Sequence, residues 1–312
     1  MSVNMKGKSI TSMLDLSREE IWQILEFAKQ LKNETLAGKR HDYLAGKTLA
    51  MIFQKPSTRT RVSFEVGMYQ LGGYALYLGA NDLQLRRGET IADTARVLSR
   101  YVDGIMARVF DHKDIIDLAT YATVPVINGL SDFEHPMQIL ADFLTIWEKK
   151  GRLTGLKLAY VGDGNNVANS LIFGAAIMGM DIYVGSPKGY EPVAEVVNKA
   201  KEIASHSGSK VVITNDPVKA VKDADVIYTD VWASMGQESE AEERRKIFIP
   251  YQVNPNLVQY AKDDFIFMHC LPAHRGEEVV DEIVDGQNSV VFDEAENRLH
   301  AQKAVMALIM GR

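Results

Sequence analysis

Short apolar runs alternate with amphipathic segments along most of the 312-residue chain. A capping-box pair, Ser17 with Glu20, opens the first helical pattern. From each segment to the next, the spacing of the apolar residues changes between that of a helix and that of a strand. Strands that alternate with helices predict parallel sheets with right-handed crossovers, covered on both faces. The segments of the first half are a helix at Ser17–Lys32, a strand at Thr48–Phe53, a helix at Thr58–Leu71, then Arg96–Tyr101, Ile105–Val109 and Val124–Asn128 in continued alternation, and a helix at Pro136–Lys150.

The alternation starts again after Gly151, which predicts a second α/β domain. A chain of this length has room for two domains of about 150 residues each. We therefore expect a first domain at 1–148 and a second at 149–293. The second series consists of strands at Leu156–Val161, Asp181–Gly185, Lys210–Thr214, Val226–Asp230 and Phe265–His269, helices at Asn165–Met178 and Pro192–Ser205, and a final helix at Ala295–Met310.

Composition excludes several classes of partner. The formal net charge of −6 argues against nucleic-acid or anionic-membrane binding, because either needs a basic face. Cys270 is the single cysteine, so no intrachain disulfide is expected. Met1–Leu14 lacks the apolar stretch of a secretory signal, and Leu171–Met180 is too short to span a bilayer. These features predict a cytoplasmic protein.

Ser57-Thr58-Arg59-Thr60-Arg61 follows a strand and opens a helix. N–H groups at a helix start, with the positive end of its dipole, bind anions. Hydroxyls and guanidiniums add side-chain donors, and arginine grips phosphate with two parallel hydrogen bonds. The alternative is an N-cap with solvated arginines, which fits any one of these residues alone; five such residues in a row after a strand favour the anion site over it. The run therefore predicts a phosphate site.

Further polar residues stand at strand ends and helix starts. Arg108 ends a strand, where a cation can polarise a carbonyl, although an exposed ion-pair arginine fits as well. His135 and Gln138 are three apart at the start of a helix and share one face. Gly162-Asp163-Gly164 resembles a dinucleotide turn, but it lacks the third glycine, and the second strand ends Val184-Gly185-Ser186-Pro187 without an acid to bind ribose. A nucleotide-binding dehydrogenase is thus a weak alternative.

Six motifs in order resemble those of the aspartate and ornithine carbamoyltransferases over essentially the full length. The His269 and Ser234 motifs are similar to the ornithine branch, since aspartate enzymes have a His-Pro-Leu-Pro-Arg type sequence at the former. The motifs are Ser-Thr-Arg-Thr-Arg at 57–61, His-Pro-Met-Gln at 135–138, Gly-Asp-Gly-Asn-Asn at 162–166, Ser-Met-Gly at 234–236, His-Cys-Leu-Pro at 269–272 and Glu-Ala-Glu-Asn-Arg at 294–298.

The resemblance implies two α/β domains, with the active site in the cleft between them and the C-terminal helix, 294–312, completing the first domain. It implies catalytic roles for Arg108, His135, Asp230 and Cys270. It implies that ornithine is bound by Asn166, Asp230, Ser234 and Met235. It implies that carbamoyl phosphate is bound by Ser57, Thr58, Arg59, Thr60, Gln84, Arg108, His135, Gln138, Cys270, Leu271 and Arg298.

The expected reaction is transfer of the carbamoyl group of carbamoyl phosphate to the δ-amine of L-ornithine, giving L-citrulline and phosphate, without cofactor or metal. By resemblance, the loop around Gln84 reaches into a neighbouring subunit's site, which implies a homo-oligomer, a trimer or an assembly of trimers. Two alternatives remain: another acceptor amine, such as putrescine or an acylated ornithine, and a non-catalytic anion-binding relative.

Overall fold

The computed structural model describes residues 3–80, 83, 88–233 and 238–311. The chain divides into two compact units, Met1–Leu144 with Glu296–Arg312, and Thr145–Ala295. The division falls inside two helices, α5 and α12, whose bounds are Pro136–Lys150 and Val291–Met310. In the part of the chain that is described, no helix combines the length and apolar character needed to cross a membrane.

The first unit contains a four-stranded sheet in the order β2-β1-β3-β4, with every pair parallel. The two inner strands are buried over almost their whole length, as expected when helices cover both faces. Ile52, Ala107 and Val126 are among the buried residues that pack together there. The elements are α1 (Arg18–Leu36), β1 (Thr48–Phe53), α2 (Thr58–Gln70), β2 (Tyr74–Gly79), α3 (Ile91–Leu98), β3 (Gly104–Arg108), α4 (His112–Tyr121), β4 (Val126–Leu130), most of α5 and most of α12.

The second unit contains a five-stranded parallel sheet in the order β7-β6-β5-β8-β9. Ala159, Ile227 and Phe267, from three neighbouring strands, belong to its buried core. The elements are β5 (Lys157–Val161), α6 (Asn166–Met178), β6 (Asp181–Gly185), α7 (Ala194–Ser207), β7 (Val211–Thr214), α8 (Pro217–Val221), β8 (Val226–Thr229), α9 (Ala241–Phe248), α10 (Pro255–Val258), β9 (Ile266–His269) and α11 (Asp281–Val284).

Strand order reverses once in each sheet. In the first sheet β1 lies between β2 and β3, and in the second β5 lies between β6 and β8. Ligands of open parallel sheets bind beyond the carboxyl ends of the strands at such reversals. The strand order therefore predicts ligand-binding sites at the segments after β1 and β3 in the first sheet, and at those after β5 and β8 in the second.

The predicted fold class, parallel sheets flanked by helices, is confirmed, but some bounds were wrong. The helix near Arg96 begins earlier, at Ile91, because the Thr90 side chain caps it by accepting from the Asp93 N–H. The last helix begins at Val291 rather than Ala295. Strand β2 and helix α4 were not predicted, although Tyr74–Gly79 is a mostly apolar run; β2 lies at the edge of the sheet with its side chains half exposed.

A buried polar cluster lies where α1, α2 and α12 meet in the first unit. Lys303 is fully buried, and its Nζ donates to Thr35 Oγ1 at 2.7 Å and to Gln70 Oε1 at 2.8 Å. Burial lowers the pKa of Lys303 to about 8. Burial, together with the charges of Lys303 and Lys32, lowers the pKa of His300 to about 3.

His300 makes the stability of the fold depend on pH. Between pH 6.5 and about 3 the unfolded chain protonates this imidazole and the native chain does not, so stability falls as the pH falls through that window. We expect His300→Gln to reduce the loss of unfolding free energy between pH 6.5 and 5 by up to about 1.4 kcal/mol per pH unit. Urea unfolding at the two pH values measures this, with His206→Gln, an exposed histidine, as control. Equal losses in wild type and His300→Gln would contradict it.

Candidate active site

The segment after β1 forms the start of α2 as the sequence predicts. Ser57 is the N-cap residue, and its Oγ accepts a hydrogen bond from the Thr60 N–H at 3.3 Å. Thr58 and Arg59 occupy the first turn. The cap therefore aims the positive end of the α2 dipole beyond the carboxyl end of β1, which suits a phosphate.

Arg108 is the last residue of β3, and it lies opposite Phe53, the last residue of β1. Its carbonyl accepts from the Gln54 N–H at 2.8 Å, so the two strand ends are tied together. The side chain of Gln54 accepts from the Phe110 N–H at 2.9 Å and donates to Asp114 at 2.7 Å. Arg108 is buried, which excludes the alternative of an exposed ion-pair arginine.

His135 is buried and directly precedes Pro136, the first residue of α5. Burial, then the positive charges of Arg298, Arg108 and Arg59, lower the pKa of His135 well below its usual range. The imidazole is therefore neutral at pH 7. The charges of these three arginines give the site a positive potential, which favours a multiply charged anion.

The loop that carries His135 is held by the N-terminal segment. Glu134 is fully buried, and its carboxylate accepts from the Ser12 hydroxyl and, at 3.0 Å, from the Met13 N–H. Asn128 donates to the Thr11 carbonyl at 2.8 Å. This contribution was not predicted, since the partners lie more than a hundred residues apart in the chain.

Gln138 and Arg298, predicted to contact carbamoyl phosphate, contact each other. Arg298 Nη1 donates to Gln138 Oε1 at 2.6 Å, and Arg298 Nη2 donates to Thr60 Oγ1 at 3.2 Å. Gln138 Nε2 donates to Asp142 Oδ1 at 2.8 Å, which fixes which end of the amide faces Arg298. Hydrogen bonds thus join five of the predicted residues, and the charges of Arg59 and Arg108 act on one of them, His135. The five are Ser57, Thr60, His135, Gln138 and Arg298.

In the second unit the predicted residues Asp230 and Cys270 meet at neighbouring strand ends. Asp230 follows β8, Cys270 follows β9, and Cys270 Sγ donates to Asp230 Oδ1 at 3.1 Å. The buried Asp230 carboxylate also accepts from Asn165 Nδ2 at 2.8 Å. Asn165 follows β5 and caps α6 with its side-chain oxygen. A fixed carboxylate thus lies at the strand-order reversal, where it can hold a cationic amine.

Asn165 was not among the predicted site residues, whereas its neighbour Asn166 was. Asn166 is the first residue of α6, and its Oδ1 accepts from the Val167 N–H at 3.0 Å. Its role in binding the amino acid stays a prediction. An asparagine placed between a buried strand and a helix is typical of an N-cap, and that pattern could have identified Asn165.

His269 and Glu278 support the backbone at Leu271. His269 Nδ1 accepts from the Leu271 N–H at 2.8 Å, so this nitrogen is unprotonated and the proton is on Nε2. Nε2 then donates to Glu278 Oε1 at 3.0 Å, and both side chains are fully buried. Leu271 has φ of +54° and precedes a cis proline, an unusual backbone position that this pair holds.

Two groups of side chains in the described residues offer clustered ligand atoms for a metal, namely Asp230 with His269 and Cys270, and His274 with Glu277 and Glu278. In the first group both nitrogens of His269 are already hydrogen-bonded. An ion there would have to displace the Leu271 N–H or Glu278. The expectation of a metal-independent protein stays a prediction.

The Gly162–Gly164 turn is covered by its own chain. Gly164 N donates to the Tyr190 carbonyl at 2.8 Å, and a Cβ at Gly164 would lie 2.2 Å from Pro192 N. Glycine is required at position 164 because the backbone of the segment before α7 packs against it, where a dinucleotide turn would face the pyrophosphate. This packing weakens the dinucleotide alternative further.

Asp163 in this turn pairs with Arg244 of α9 at 3.0 Å, and both side chains are almost buried. Burial raises the pKa of Asp163 to about 6, against the opposing effect of Arg244. Arg244 also donates to the Trp232 carbonyl at 3.0 Å. The ion pair therefore ties the turn after β5 to the segment after β8. Gln84, Ser234 and Met235 lie outside the described residues.

Both halves of the chain match one family by sequence. The carbamoyl-phosphate-binding domain of the aspartate/ornithine carbamoyltransferases matches residues 8–148, and the aspartate/ornithine-binding domain matches residues 154–309. The chain belongs to the aspartate/ornithine carbamoyltransferase family. The family assignment and the prediction of a carbamoyltransferase are confirmed.

Individual members of the family are similar over their full length. An ornithine carbamoyltransferase of Thermococcus kodakarensis is 68% identical over 311 residues, which cover 100% of this chain and 99% of that protein. One of Pyrococcus furiosus, described as anabolic, is also 68% identical, with the same coverage. A solved ornithine carbamoyltransferase structure from P. furiosus has a TM-score of 0.97 at 67% identity, and the match covers 99% of both chains.

Proposed function

We propose that this protein transfers the carbamoyl group from carbamoyl phosphate to the δ-amine of L-ornithine, which yields L-citrulline and phosphate. The observation that carries the choice of acceptor is the fixed Asp230 carboxylate beside the Cys270 thiol, at 3.1 Å. Aspartate, a dicarboxylate, would be repelled by this group, whereas a cationic amine is attracted. The similar proteins named ornithine carbamoyltransferase support the same acceptor.

The donor is held by the first unit. Ser57, Thr58, Arg59 and Thr60 bind the phosphate at the start of α2, and Arg298 adds a guanidinium from α12. Arg108 and His135 face the carbonyl oxygen. As a tetrahedral centre forms, negative charge grows on that oxygen, and donors already in place there stabilise the transition state. Gln138 contacts the carbamoyl group.

The acceptor is held by the second unit. Asp230 orients the ornithine amine, Cys270 supports Asp230, and Asn166 with Ser234 and Met235 binds the amino-acid end. An amine of this type has a pKa of about 10.4, so it enters as the ammonium and reacts only after it loses a proton. The roles of Cys270 and Leu271 toward the carbamoyl group are part of the same proposal.

The reaction balances without a redox group or covalent enzyme intermediate. The δ-nitrogen lone pair forms the new N–C bond, and the C–O bond to phosphate breaks with its electron pair on the departing oxygen. The proton leaves the nitrogen and is taken up by the phosphate or by solvent. Much of the rate then comes from alignment of two small substrates.

We further propose that the protein acts as a homo-oligomer, a trimer or an assembly of trimers, in which Gln84 serves a neighbouring subunit. Sedimentation equilibrium measures the mass directly. If the protein were a fully active monomer, the proposal that Gln84 serves a neighbouring subunit's site would be rejected.

The acceptor is tested by offering ornithine, putrescine, acetylornithine and aspartate separately with carbamoyl phosphate. We expect citrulline from ornithine at a kcat/KM at least about a hundredfold above that of any other acceptor, because a mismatched acceptor leaves buried polar groups unpaired. If only putrescine gave a product, carbamoyl phosphate would stand as the donor, and the proposal that ornithine is the acceptor would be rejected. No product from any acceptor would reject the enzymatic proposal.

A further inference from the structure

Arg298 is a buried arginine held on both sides of its guanidinium. It is 3% exposed. On one side Nη1 donates to Gln138 and Nη2 to Thr60.

Gln302, one turn further along α12, contacts the Nε edge of this guanidinium. It is fully buried. With its amide oriented to satisfy both neighbours, the oxygen accepts from Arg298 Nε at 3.1 Å and Nη2 at 2.9 Å, and the nitrogen donates to Ser63 Oγ at 2.5 Å. Residues four apart share a helix face, which is why one side chain can accept both N–H groups.

The contacts fix the plane of the guanidinium. Of its five N–H donors, two go to Gln302 and one each to Gln138 and Thr60. Because these acceptors lie on different edges of the planar group, the arginine side chain cannot turn the guanidinium without breaking hydrogen bonds.

Gln302 also joins the last helix to the phosphate-binding turn. Ser63, which accepts from Gln302, donates its hydroxyl to the Arg59 carbonyl at 2.6 Å. Arg59 belongs to the first turn of α2. A single buried amide therefore contacts Arg298 directly and the Arg59 backbone through Ser63.

We propose that Gln302 is a positioning residue, which holds Arg298 in the orientation that binds the phosphate of the donor. This rests on the proposed function of the first unit as the donor site. Gln302 acts through Arg298, and no contact with substrate is required of it. A long side chain fixed before the ligand arrives loses less freedom on binding, which strengthens affinity.

The test is Gln302→Met, which keeps a similar length and removes the acceptor. We expect the Kd for inorganic phosphate and the KM for carbamoyl phosphate to rise about tenfold or more, since hydrogen bonds to a charged group are the stronger kind. The KM for ornithine should stay within about twofold. Calorimetry with phosphate and steady-state kinetics give the two readouts.

Lys303→Met is the matched control. Lys303 is the next residue, is fully buried, and donates to Thr35 and Gln70 instead of binding Arg298. The Lys303→Met variant shows how the loss of a buried polar group in α12 affects stability and phosphate binding when Arg298 keeps its contacts. We expect a lower melting temperature with the phosphate Kd within about twofold of wild type. An equal rise in Kd in both variants would overturn the proposal.

Ser63→Ala provides a second variant that leaves Arg298 and Gln302 in place. It removes the contact that orients the Gln302 amide, so we expect a several-fold rise in the phosphate Kd. In the double variant the two effects should not add, because both act through one contact chain. Full additivity, or a phosphate Kd within twofold of wild type in both single variants, would overturn the proposal.

The phosphate measurement separates this inference from the proposed function. A wild-type protein that binds phosphate but forms no citrulline rejects the proposed function, and the variants still report on Gln302. Citrulline formation with an unchanged Kd and KM in Gln302→Met rejects the positioning role alone.

Discussion

Replacement of Arg108 by methionine should lower kcat by about 10²- to 10³-fold, the range found when one donor to a developing oxyanion is removed. Arg108 is buried at the end of β3, and its charge helps to keep His135 neutral. Loss of this charge removes a donor to the carbonyl oxygen and weakens the field that favours its negative charge. Saturating both substrates separates this effect on kcat from weaker binding.

Arg96→Met is the control for this substitution. Arg96 is exposed on α3, where it pairs with Asp93 at 3.0 Å and stacks on Tyr121. An exposed pair of this kind contributes little, so kcat should stay near the wild-type value. A kcat for Arg108→Met within a few-fold of wild type would reject the role of Arg108 in polarising the carbonyl.

Replacement of Asp230 by asparagine should lower kcat/KM for ornithine by about 10³-fold. The two side chains have similar size, but the amide lacks the charge that attracts and orients the ammonium. Pairs between a buried charge and a substrate contribute several kcal/mol when one partner is lost, and about 1.4 kcal/mol corresponds to tenfold. The Kd for inorganic phosphate should be unchanged, since its proposed ligands lie in the first unit.

Asp225→Asn is the matched control, because Asp225 lies at the opposite end of β8. This buried carboxylate accepts from the Lys157 N–H at 2.8 Å and from Lys262 Nζ at 2.6 Å. Its neutralisation should lower the melting temperature and leave kcat/KM for ornithine within a few-fold of wild type. If both variants lost the same activity, the effect of Asp230→Asn would be structural and the acceptor role would be rejected.

The elements with a strong local signal could be predicted from the sequence. The capping box at Ser17 and Glu20 forms as expected, as does the capped start of α2 after β1. The buried strands and the helices that follow them have a clear period. Strand β2 was missed and the start of α3 was misplaced, although β2 is a mostly apolar run and Thr90 caps an amphipathic α3.

The residues that hold the site residues in place could not be predicted, because no motif or pattern in the neighbouring sequence distinguishes them. Glu134 is held by Ser12 and Met13, and Gln302 contacts Arg298 from within a helix whose apolar character conceals it. Asn165 is a partial exception, since its position between a strand and a helix is typical of a cap. Contacts between residues far apart in the chain depend on packing, and a single sequence does not contain them.

The sequence by itself determined the alternation of strands and helices, the parallel fold class and the motifs that mark the family, because each depends on neighbouring residues. Only the tertiary structure decided the strand order. That order places β1 beside β3 and β8 between β5 and β9, so that Arg108 is hydrogen-bonded to Gln54, shortly before the phosphate turn, and Asp230 contacts Asn165 and Cys270. The physical reason is that the order of strands in a sheet depends on how much apolar surface both faces of the sheet bury. That burial is a sum over segments that lie far apart in the chain.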